Sequence, residues 1–192
     1  MGVRDIIINE ILIPALMLLY EMDYDNIRFG VAERNICARL AFHMENLMRK
    51  YDKVHKSSEF RHYYADVEYN RMRNGDKKRY ENSEYLPVYM VSDLLIQSRG
   101  KNPNYLAVEM KIKGRGTEKK MNHDRRRLEA LTSPVPVDRD LPCVYGTLLG
   151  AFIVISPLDV SVELYENRDG HGKKTEDLKF RYDETLRELV RV

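Results

Sequence analysis

Hydrophobic and polar positions along this chain follow two periods, one helical and one alternating, and the places where the period changes mark its elements. Residues 6 to 20 are apolar except for Asn9, Glu10 and Pro14. The stretch is too short to span a bilayer and lacks a small-residue cleavage site, so it reads as a helix packed on the domain or on a second copy in a homodimer. After Asp23-Tyr24-Asp25, residues 26 to 52 place Phe29, Ala32, Ile36, Leu40, Met44, Leu47 and Tyr51 at three- and four-residue spacing. That spacing predicts one long amphipathic helix.

Strand-like alternation takes over at Tyr63, with Asp66, Glu68 and Asn70 on one face and Val67 and Tyr69 on the other. The acidic face either supports a site or forms a solvated sheet edge. Residues 71 to 84 are polar, include Lys77-Lys78-Arg79, and read as a loop. Two apolar runs follow, residues 88 to 97 and 105 to 112, separated by Arg99-Gly100-Lys101-Asn102-Pro103-Asn104, which is a hairpin signal. Both runs are too apolar for a surface ribbon and suit a central sheet. Met121, Leu128 and Leu131 predict a helix between Gly116 and Thr132, and Asp124 falls on its apolar face. There Asp124 either pairs with a base or points toward a site.

Ser133-Pro134-Val135-Pro136 ends that helix, and residues 144 to 155 read as a buried strand. Beyond Pro157, two alternating runs flank Asn167-Arg168-Asp169-Gly170-His171-Gly172 as a peripheral ribbon, and residues 183 to 192 suggest a short closing helix. The expected architecture is one α/β domain with a central mixed β-sheet flanked by helices. Residues 1 to 24 form an N-terminal helix, 25 to 156 the core, and 157 to 192 a C-terminal β-hairpin and helix.

Chemistry concentrates in the central hairpin. In the second run Ala107, Glu109 and Lys111 share one face while Leu106, Val108, Met110 and Ile112 share the other. If the turn is centred near Lys101, paired residues have numbers summing to about 202, which sets Asp93 opposite Glu109 with Cβ atoms about 4.5–5.5 Å apart. Two carboxylates converging there repel, and a hard divalent cation with oxygen ligands resolves the conflict. Lys111 beside them can orient or activate a water.

Asp93 followed by Glu109-Met110-Lys111 on the next strand resembles the PD-(D/E)XK superfamily of restriction-endonuclease-like nucleases. The proline of that name is absent, Val91-Ser92 standing before Asp93. Residues 32 to 41 are similar to the early helix of these enzymes, and residues 106 to 111 to their core strand. The resemblance implies a restriction-endonuclease-like core and hydrolysis of nucleic acid, with DNA the expected substrate and Mg2+ or Mn2+ the cofactor. Asp93, Glu109 and the Met110 carbonyl would hold the metal, and Lys111 would orient the attacking water. It also makes Glu33 a candidate catalytic group reaching the metal from the first helix. An ion pair within that helix is the competing reading of Glu33.

At 192 residues, 32% charged and 43% hydrophobic, the composition is that of one globular domain. The net charge of +2 is too small to mark a polyanion-binding protein, so any such surface must be local. From 111 to 127 eight basic residues meet only Glu118 and Asp124. Lys113, Arg115, Lys119, Lys120, Arg125, Arg126 and Arg127 are accordingly candidate nucleic-acid contacts. Cys37 and Cys143 have no metal-ligand spacing and sit among apolar neighbours, which suits a reducing cytoplasm. The alternative to a nuclease is a catalytically inactive nucleic-acid-binding or assembly module on the same fold.

Overall fold

The computed structural model describes residues 2–68, 79–81, 87–89, 92–99, 102–134 and 146–192. Helix α1 (Val3–Ile6) runs through a π-helical turn (Ile7–Leu12) into α2 (Ile13–Met22). The wider turn falls just ahead of Pro14, whose ring would crowd the carbonyl of the preceding turn in a regular α-helix. Ile7, Ile11, Leu12, Leu16 and Leu19 are fully buried, so this segment belongs to the core. Among the described residues no helix is long and apolar enough to cross a membrane.

The predicted helix over 26 to 52 divides in two. Helix α3 (Tyr24–Arg28) stops at Phe29-Gly30, where Gly30 takes a positive φ of 63°, and α4 (Glu33–His55) begins afresh. Phe29 therefore leaves the apolar stripe and is 74% exposed, while Ile36, Leu40, Met44 and Met48 keep the helix seated on the sheet.

Seven strands form the main sheet in the order β1-β4-β5-β6-β7-β8-β9. They are β1 (Tyr64–Val67), β4 (Leu94–Gln97), β5 (Leu106–Ile112), β6 (Leu149–Ile155), β7 (Asp159–Arg168), β8 (His171–Asp183) and β9 (Glu188–Arg191). A separate pair, β2 (Arg79–Glu81) and β3 (Pro87–Tyr89), takes the start of the run from 88 to 97 out of the central hairpin. Lys77, Lys78, the Gly100-Lys101 turn centre and Cys143 lie outside the described residues.

The sheet is mixed: β5 and β6 are parallel, linked by helix α5 (Glu118–Thr132), and the remaining neighbours are antiparallel. One face packs on the N-terminal helices and α4, and the other on α5 through Ala107, Leu128, Leu131, Phe152 and Tyr165. β5 is thus covered on both sides, as a central parallel strand must be.

Two expectations for the C-terminal part need correction. The hairpin β7–β8 is an integral part of the sheet, because β7 pairs along β6 from Val160–Ile155 to Tyr165–Gly150. Residues 188–191 form a strand in place of the closing helix, since backbone pairing with the open edge of β8 prevails over local helix preference. The β8 end of the hairpin also presses on α5: a Cβ at Gly172 would lie 1.9 Å from the Glu129 carbonyl oxygen, so only glycine fits there.

Candidate active site

Register brings the first two candidates together. Leu94 pairs with Val108, Leu95 with Ala107 and Ile96 with Leu106, so Asp93 stands at the end of β4 opposite Glu109. The expected hairpin register holds. Strand β4 stops at Leu94, while β5 continues to Ile112. The N–H of Lys113 donates to Ile155 of β6, so by alternation the N–H groups of Met110 and Ile112 face the side that β4 has vacated. Side chains replace the missing strand there. Asp93 Oδ2 accepts from Met110 N at 2.8 Å, and Glu33 Oε1 accepts from Ile112 N at 3.2 Å.

Glu33 is the first residue of α4, where a carboxylate is favoured by the helix dipole. The helix break that removes Phe29 from the stripe is what places Glu33 at this terminus. Its other oxygen, Oε2, lies 3.6 Å from Lys111 Nζ. Glu33 thus reaches the Asp93–Lys111 cluster, and its contact is to the strand and not within its own helix.

Lys111 Nζ is the centre of the arrangement. It donates to the Met110 carbonyl at 2.8 Å and lies 3.1 Å from Asp124 Oδ2 and 3.9 Å from Asp93 Oδ2. Burial works against the ammonium charge, yet Asp93, Asp124 and Glu33 outweigh it and raise the lysine above its ordinary pKa. Asp93 is raised chiefly by burial, which the Met110 N–H and Lys111 only partly offset.

Glu109 lies behind this cluster, 1% exposed and paired with Arg127 Nη1 at 2.9 Å. Burial pushes its carboxyl well above the usual range despite the arginine. Arg127 also donates to Asp124 at 3.2 Å, so Asp124 bridges the lysine and the arginine. Four carboxylates therefore surround two cations. Among the described residues no three acidic, histidine or cysteine side chains form a ready metal cage; the Lys111 ammonium stands among the carboxylates. Glu33, Arg34, Cys37, Val67, Glu68 and Asp93 line a cleft of about 210 Å³ beside it. Burial pushes the Cys37 thiol up, with Asp93 and Glu33 adding to the effect, so this cysteine is a poor nucleophile.

The basic segment is divided in its roles. Arg127, grouped with its neighbours on the surface by charge, turns inward instead. Arg125 is held by Glu163 at 2.9 and 3.0 Å and lies 4.6 Å from the centre of the Phe152 ring, a structural clamp between α5 and β7. Lys113 pairs with Asp159 at 2.6 Å. Arg115 donates to the Gly30 and Val31 carbonyls at 2.7 and 3.4 Å. Lys119, Lys120 and Arg126 are exposed.

Sequence patterning leaves Asp124 open between pairing with a base and pointing toward a site, and groups Arg127 with the nucleic-acid contacts, whereas both belong to this cluster. Their signal was present: Asp124 fell on the apolar face of α5, and a residue three positions on shares that face. Comparison of the chain with family models, curated proteins and solved structures finds no match.

Proposed function

We propose that this chain is a metal-dependent nuclease of the PD-(D/E)XK kind, hydrolysing phosphodiester bonds of nucleic acid. DNA is the expected substrate, Mg2+ or Mn2+ the cofactor, and the reducing cytoplasm the expected setting. The observation that carries the reading is the convergence on Lys111 of Glu33, Asp93 and Asp124, from three different elements, together with the Met110 carbonyl. A protein that needed only to neutralise one lysine would not require three carboxylates around it.

The donor chemistry fits a hard cation, since the ammonium's contacts to Glu33, Asp93, Asp124 and the Met110 carbonyl are all to oxygen. Asp93, Glu109 and the Met110 carbonyl would hold the ion, with Glu33 beside them. Once bound, a divalent ion offsets phosphate charge and lowers the pKa of a coordinated water. Lys111 presents its ammonium to the attacking water and to the negative charge that develops on the phosphoryl oxygens. Asp124 holds that ammonium in place, and Arg127 pairs with the buried Glu109.

Incubation of purified protein with labelled DNA and RNA substrates, with Mg2+ or Mn2+ or with EDTA, tests the reading. Metal-dependent cleavage that disappears in Glu109→Ala and Lys111→Ala is the expected result. Full activity in either variant would remove the central assignment.

One observation favours a second reading. Glu109 is shut in against Arg127, as in a network that serves stability, and this suits a nucleic-acid-binding module without catalysis. Binding without cleavage under every metal condition would select it.

A further inference from the structure

We propose that Phe29, flanked by Arg28 and Arg115, is a platform on which a base of single-stranded nucleic acid stacks. It rests on the nuclease reading for what the strand is delivered to. Isolated apolar side chains on a surface need no special explanation, but three observations set this one apart. First, Phe29 is 74% exposed, more than any other large apolar residue among those described. A whole phenyl face is left in water at the point where the chain abandons a helical stripe that could have buried it.

Second, the turn that carries the ring is tied on its C-terminal side to the end of the catalytic strand and to the residues just beyond it. Arg115, four residues after Lys111, donates to the Gly30 and Val31 carbonyls, and Glu33 accepts from the Ile112 N–H. The turn is also closed on itself, Gly30 N donating to Ile27 and Val31 N to Asn26. The backbone that follows the ring is therefore held against Ile112 and Arg115, close in the chain to Lys111.

Third, two arginines lie at this turn, Arg28 beside the ring and Arg115 against Gly30 and Val31. Arg28 lies 5.8 Å from the ring centroid. Among the described residues neither Arg28 nor Arg115 forms an ion pair with a carboxylate, since the contacts of the Arg115 guanidinium are carbonyls. Exposed aromatic plus arginines is the combination that binds single strands, the ring stacking on a base and the cations meeting the phosphates. A duplex, with its bases stacked on each other, has no free face for the ring except at a frayed end.

Binding of a labelled oligothymidylate, and of an abasic oligomer with the same backbone, is measured in EDTA so that nothing is cut. Phe29→Ala should weaken binding of the oligothymidylate by about 5- to 150-fold. It should leave the abasic oligomer unaffected, and Phe29→Tyr should retain wild-type affinity for both. Because the ring is exposed, the alanine variant is expected to melt with the wild type. Equal affinity of wild type and Phe29→Ala for the oligothymidylate would overturn the proposal. So would equal losses on the two oligomers, or no binding by the wild type. Cleavage assayed in parallel keeps the two ideas separate. Phe29-dependent binding without cleavage supports the platform and sinks the nuclease, whereas cleavage with Phe29-independent binding does the reverse.

Discussion

Glu109 and Arg127 form the buried ion pair of the site, and its consequence for stability is asymmetric. Arg127→Ala would leave a carboxylate that is 1% exposed without this partner, and the expected cost is about 3–5 kcal/mol in urea denaturation. Replacing both residues by apolar ones, as in Glu109→Leu with Arg127→Met, should recover most of it. A double variant no more stable than Arg127→Ala would show that the pair is not the source of the loss. Asp124 plays a different part, since it touches the lysine. Asp124→Asn should retain the fold and slow cleavage roughly 10- to 100-fold, the usual effect of losing a group that orients a metal-site residue. An unchanged rate would remove Asp124 from the site.

At the scale of elements, the clamp between α5 and β7 sets how firmly the helix carrying Asp124 and Arg127 is held. Burial tends to raise the Glu163 carboxyl, but the bonds from Arg125 and Tyr165 outweigh it and hold its pKa below the ordinary value. A carboxyl depressed on folding contributes stability above its unfolded pKa of about 4.3, and that contribution is lost as pH falls through the lower folded value. The stability advantage of wild type over Glu163→Gln should therefore be full near neutrality and shrink below about pH 4.3. Denaturant titrations across that range measure it, and an advantage independent of pH would count against the clamp. Arg125 belongs to this clamp, so its replacement should be felt in stability before nucleic-acid binding.

Local pattern was sufficient for some elements and blind to others, for physical reasons. The β4–β5 register was legible because a short turn leaves few ways to align two apolar runs, and it placed Asp93 opposite Glu109. Glu33 was found although its helix was started too early: the periodic stripe continues through Gly30, and only the backbone shows the break there. The last strand was misread as a helix because Glu, Leu and Arg are good helix formers. What decides is the free edge of β8, a long-range partner that no window of sequence contains. Likewise three consecutive arginines look alike as charge, while successive helix positions are turned about 100° from one another, which sends Arg127 inward and Arg126 out.

Over the whole molecule, the site draws on α4, the end of β4, β5 and α5, so on the nuclease reading proposed above, cation binding would be linked to global folding. Millimolar Mg2+ or Mn2+ should raise the melting temperature of wild type, and Asp93→Asn should reduce the increase. No shift in either protein would argue against a divalent-ion site. Nucleic-acid binding should weaken with salt, and replacing Lys119, Lys120 and Arg126 by alanine should flatten that dependence, because exposed cations release counterions on meeting phosphates. An unchanged slope would place the phosphate contacts elsewhere. The close approach of Gly172 to the Glu129 carbonyl has a bearing on genetics. A random-mutagenesis screen scored on lost cleavage should recover Gly172 substitutions alongside those at Glu109 and Lys111, although Gly172 carries no chemistry. Their signature would be a lowered melting point, and second-site suppressors of them should cluster along the seam between α5 and the hairpin.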